Sequence, residues 1–96
     1  MARAKYYLHV LVEKPDGGAR RLVVEGRNGW ALANLIEAGD GGLTTLENPA
    51  PRWSAYVHKL RTVFDINIET IDEPHGGPYA GTHGRYVLRS KVHLVA

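Results

Sequence analysis

Pro51-Arg52-Trp53-Ser54-Ala55-Tyr56-Val57-His58-Lys59-Leu60-Arg61-Thr62-Val63-Phe64 is the stretch whose reading decides the fold. Its apolar residues recur at helical spacing. Trp53, Val57, Leu60 and Phe64 fall on one arc of a helical wheel, which predicts a helix with a buried stripe. Pro51 suits the first turn, where its missing N–H has no intrahelical partner to lose. The side away from the stripe carries Ala55, His58, Lys59 and Thr62, flanked by Arg52 and Ser54. That face is small, polar and cationic. Solvation alone explains such a face, but the same residue types serve base edges and phosphates.

Downstream of Asp65 the period switches to two. Ile66 to Glu73 reads as a strand, Pro74 to Thr82 as a glycine- and proline-rich loop, and His83-Gly84-Arg85-Tyr86-Val87-Leu88-Arg89 as the returning strand. Tyr86 and Leu88 share a strand face and are expected in the core. Lys91 to Val95 reads as a last strand or a tail. Upstream, Leu43-Thr44-Thr45-Leu46-Glu47-Asn48 is expected to form a short helix. Thr44 and Glu47 have capping-box spacing, and Asn48-Pro49-Ala50-Pro51 stops it. Before that, Asn28 is expected to cap a helix from Trp30 to Ala38 that Gly39 ends. Leu32, Leu35 and Ile36 mark its buried face. Trp30 lies off that face, either under the preceding hairpin or at a partner surface.

Tyr6 to Val12 and Arg20 to Glu25 have strand composition. Pro15-Asp16-Gly17-Gly18 between them is a strong turn, so the two runs predict a hairpin. The expected organisation is one domain over residues 1–96, with an N-terminal hairpin at 5–26, a helix-turn-helix at 28–64 and a wing at 66–90. This is an α+β winged helix-turn-helix with three helices, an N-terminal β-hairpin and a C-terminal β-hairpin wing. The N-terminal hairpin is expected to cover one end of the core or extend the wing sheet. A homodimer through its outer edge is the alternative, since an open edge invites pairing.

The totals narrow the function classes. A chain of 96 residues with 44% apolar and 23% charged residues suits one small globular domain. It contains no cysteine, which removes disulfides, thiolate metal sites and cysteine nucleophiles. The run behind Met1 is of strand length only, so neither a signal peptide nor a membrane span is expected, and the protein is read as cytoplasmic. The net charge of +2 is modest for a nucleic-acid binder, so distribution carries the argument. Arg52, Lys59, Arg61, Arg85, Arg89 and Lys91 all lie in the third helix or the hairpin region.

Few residues suggest a reaction. Thr82-His83 near Asp72 and Glu73 has the residue types of acid–base chemistry, but no activated nucleophile or paired-carboxylate motif accompanies it. No enzyme activity, catalytic residue or cofactor is expected. His75 and His83 flank the wing loop. Two histidines fall short of the usual four ligands of structural zinc, so they are read as hydrogen-bonding within the hairpin, with no metal site. Gly39-Asp40-Gly41-Gly42 lacks a following Lys-Ser/Thr and is not a phosphate loop.

Several runs together resemble a family of small bacterial winged-helix domain proteins, carried on chromosomes, plasmids and prophages. They are Arg27 to Leu32, Leu43-Thr44, Pro51 to Arg61, Ile68-Glu69-Thr70, His75-Gly76-Gly77 and Gly81 to Leu88. The resemblance implies a recognition helix at Arg52 to Thr62 and a wing at Ile68 to Leu88. The N-terminal hairpin exceeds what a minimal winged helix needs, which favours a dimer or a surface for another protein. The expected function is binding of double-stranded DNA, with transcription controlled by occupying the site. Arg52, Ser54, Ala55, His58, Lys59 and Thr62 are expected in the groove, and Arg61, Tyr79 and Arg85 on the backbone. The competing reading is a protein-interaction module, either a winged-helix adaptor or a phage-type inhibitor of a host protein. The low net charge and the acidic Asp72-Glu73 pair favour it.

Overall fold

Alternating apolar residues build the first two strands. In the computed structural model, which describes residues 6–45, 52–77 and 81–95, β1 (Tyr7–Glu13) pairs antiparallel with β2 (Ala19–Glu25). Leu8, Val10 and Val12 point inward from β1, and Val24 from β2. The turn closes as its residues demand. Gly17 takes φ 92°, and the Gly18 N–H donates to Asp16 Oδ1 at 2.8 Å.

Helix α1 (Gly26–Ala38) follows β2 directly and ends at Gly39, which has φ 61°. It begins ahead of the expected Asn28 cap. Its N-cap is Glu25, without a side-chain hydrogen bond, because β2 runs straight into the helix. Ala31, Leu32 and Leu35 are buried and Ile36 is half-buried. Gly29 is required by a close approach, since a Cβ there would lie 2.3 Å from the Val24 carbonyl oxygen. A 3-10 turn (Gly39–Gly41) leads to β3 (Leu43–Thr44), and α2 (Trp53–Thr62) follows. The wing strands are β4 (Ile68–His75) and β5 (Gly81–Leu88), and β6 (Val92–Leu94) is last.

The three-helix layout is therefore corrected. The described residues hold two α-helices and six strands in two sheets, ordered β2-β1-β6 and β3-β5-β4. Leu43 and Thr44, expected to open a short helix, form a strand paired with Tyr86 and Arg85 of β5. The remainder of that expected helix, from Leu46 to Asn48, lies outside the described residues, as does Pro51. The capping-box spacing is a local signal. Pairing with β5 satisfies the backbone of Leu43 and Thr44 and buries both side chains, leaving 2% and 1% exposed, and this tertiary gain prevails. The hairpins are also not isolated. β6 joins the N-terminal pair through Val10↔Leu94, Leu11↔His93 and Val12↔Val92, and β3 widens the wing.

One apolar cluster joins the two sheets and both helices. Trp53 lies at its centre, 2% exposed, stacked on Tyr86 with centroids 6.5 Å apart and tilted against Trp30 at 5.3 Å. Tyr56 meets both tryptophans edge-on. Such contacts fix the angle of α2 against α1 and the wing sheet beyond what area burial alone achieves.

Candidate nucleic-acid interface

The residues of α2 divide by face. Trp53, Val57 and Leu60 are buried, and Phe64 beyond the helix is half-buried against the same core. Arg52, Ser54, Ala55, His58, Lys59 and Thr62 are all exposed. Arg52 stands at the N-cap in the left-handed region, with φ 72°. Thr62 turns its hydroxyl back to donate to the His58 carbonyl at 2.9 Å. Among the described residues, neither Arg52 nor Lys59 has an ion-pair or side-chain hydrogen-bond partner, so both charges stand open to solvent.

The two arginines expected on the phosphate backbone stand differently. Arg61 donates from Nε and Nη2 to the Ile68 carbonyl at 2.9 and 2.6 Å, and from Nη2 to Thr70 Oγ1 at 2.7 Å. Its acceptors are neutral, so it braces the corner between α2 and β4 while keeping its full charge. Arg85 is matched to a carboxylate. Its Nε donates to Glu73 Oε2 at 2.8 Å and its Nη1 to the Gly41 carbonyl at 3.0 Å. Much of its charge is spent within the wing. Tyr79 lies outside the described residues.

Glu73 also accepts from His83 Nε2 at 3.1 Å, and His83 Nδ1 meets His75 Nδ1 at 3.1 Å. The Arg85 hydrogen bond foremost, with the charge of Arg85 and then the His83 hydrogen bond behind it, holds the Glu73 carboxyl below the usual glutamate range against the upward push of desolvation. The wing thus carries a connected polar network on one face, while Tyr86 and Leu88 pack toward the core from the other. Asp72 is exposed.

Sequence reading did not find Arg20. Its Nη2 donates to the carbonyls of Phe64 and Asp65 at 2.7 and 2.8 Å, tying β2 to the end of α2. Asp65 is left-handed there, with φ 53°, and the Ile66 N–H closes on the Leu60 carbonyl at 3.1 Å. No local pattern in β2 advertises a partner more than forty residues away.

This arrangement presents a polar helix face over an aromatic core, beside a β-hairpin whose base is braced to the helix. A family model described as a winged helix domain matches residues 21–96. The chain belongs to the winged helix domain family. Comparison with curated proteins and with solved structures returns no match. Winged-helix domains are typically DNA-binding rather than catalytic. No helix among the described residues of this winged helix is long and apolar enough to cross a membrane.

Proposed function

We propose that this winged helix binds double-stranded DNA with the outward face of α2 in the major groove. It acts as a small transcriptional regulator by occupying its site, on bacterial or prophage DNA in the cytoplasm. The observation that carries the reading is the exposed row Arg52, Ser54, Ala55, His58, Lys59 and Thr62 over buried Trp53, Val57 and Leu60. Arg52 and His58 supply donors for guanine acceptors, and the Ala55 methyl suits contact with a thymine methyl. Lys59 suits phosphate oxygens, Thr62 does so once its hydroxyl turns from the His58 carbonyl, and Arg61 adds an uncompensated charge at the helix end. Arg85 and Tyr79 belong to the wing's side of the interface, with Arg85 acting chiefly to hold the wing in shape.

A second reading, a protein-interaction module of the adaptor or host-inhibitor kind, is favoured by one observation. Tyr7 and Val23, on the outward face of β1 and β2, are 52% and 47% exposed. Selection of duplexes from a random oligonucleotide pool tests the two readings. Enrichment of a motif, abolished by Arg52→Ala with Lys59→Ala, supports the DNA reading. An empty selection at low salt, with capture of a protein through the sheet face, supports the second.

A further inference from the structure

The mid-wing histidines offer more than a hydrogen bond. Glu73 accepts from His83 Nε2 at 3.1 Å, and an ionised carboxylate can only accept, so the proton of neutral His83 is held on Nε2. Its Nδ1 is then a bare lone pair, and it faces His75 Nδ1 at 3.1 Å across the hairpin, with ring centroids 5.2 Å apart. A carboxylate on the outer nitrogen that fixes the tautomer and raises the basicity of the inner one is the usual surrounding of a metal-binding histidine.

The spacing also fits. Two imidazole nitrogens at about 2.0–2.1 Å from one ion stand about 3.3 Å apart in tetrahedral geometry and about 2.9 Å apart at a right angle. The observed separation lies between these values. In the hydrogen-bonded form His75 Nδ1–H donates to His83. Moving that proton to His75 Nε2 frees the second lone pair at no change in charge. Both histidines are half-buried, and the register pairs Glu73 with His83 and His75 with Gly81, so the two rings are delivered by strand pairing.

We infer that His75 and His83 form a two-imidazole site for a borderline divalent cation of the Zn2+ class, tuned by Glu73, with water or an outside donor completing the shell. The inference rests on the β4–β5 hairpin alone and is independent of the DNA reading. The experiment is calorimetric titration of the full chain with Zn2+ alone, with Mg2+ as a hard-cation control, alongside NMR of the histidine ring nitrogens. We expect one saturable Zn2+ per chain and none for Mg2+. Both Nδ1 resonances of His75 and His83 should shift, affinity should fall at least tenfold in either His75→Ala or His83→Ala, and Glu73→Gln should weaken it by about ten- to a hundredfold. Absence of saturable Zn2+ binding overturns the site, as does binding that survives either histidine change. Ring-nitrogen shifts in the unsubstituted chain keep the test decisive should a variant fail to fold, since Zn2+ that leaves both Nδ1 signals unmoved also overturns it.

Discussion

Arg61 and Arg85 show how two similar residues take opposite parts. Both lie beside the proposed interface, yet Arg61 bonds neutral acceptors and Arg85 bonds a carboxylate. Their loss should therefore read out differently. Arg61→Ala is expected to destabilise the chain by about 1 kcal/mol, the net value of a hydrogen-bonded group at a part-buried site, and also to flatten the salt dependence of DNA binding. Arg85→Ala should loosen the wing and leave that salt slope nearly unchanged. Urea melts and anisotropy titrations on the two variants separate the effects, and equal slopes for both would contradict the distinction. Trp53→Ala removes the centre of the aromatic cluster and should cost about 3–5 kcal/mol, a large part of what a small domain has. Loss of near-ultraviolet dichroism with a lowered urea midpoint would register it. The exposed face of α2 was legible in the sequence because a helical stripe fixes its own opposite side. The ties of Arg20, Arg61 and Arg85 were not, because each partner is set by tertiary placement.

Elements show the same limit of local patterns. The α1 and α2 helices, the N-terminal hairpin and the wing strands follow from periodicity and turn residues. The stretch at Leu43-Thr44 does not, since a capping-box spacing and a two-residue strand are compatible with the same letters, and only the presence of β5 decides between them. Gly42 is the hinge that allows the pairing. It has φ 69°, and a Cβ there would meet the Tyr86 carbonyl oxygen at 2.6 Å and Val87 Cγ2 at 2.7 Å. Gly42→Ala is expected to destabilise the chain by more than about 1 kcal/mol, through left-handed strain plus a backbone clash, and to lower amide protection in β3 and β5. Hydrogen exchange that changes equally everywhere would argue against β3 as the local cause. At the other sheet, Glu13 of β1 accepts from His93 of β6. That hydrogen bond above all holds the Glu13 carboxyl below the usual glutamate range. A depressed carboxyl contributes stability that is present above the unfolded value, about 4.3, and is lost as pH falls through the lower folded value. Acid titration of the urea midpoint should therefore show a loss below about pH 4.3 that is smaller in Glu13→Gln. Identical profiles would remove the contact's contribution.

For the whole molecule, the balance of charge sets how strongly and how selectively DNA is held. The net charge is only +2, and Arg52, Lys59 and Arg61 are the α2 cations whose charge no carboxylate offsets among the described residues. Two phosphate contacts, by Lys59 and Arg61, correspond to a slope of log affinity against log salt of about −1.8, and a two-fold dimer doubles it. The most direct measurement is fluorescence anisotropy of a labelled duplex titrated with the purified chain between about 50 and 200 mM salt, repeated with Arg52→Ala and Lys59→Ala combined. Binding that weakens about tenfold over that range, with a lower affinity and a slope shallower by about 1 in the folded double variant, is the expected result. No binding at the lowest salt, or the same affinity and slope in the double variant, would contradict α2 as the helix that meets DNA.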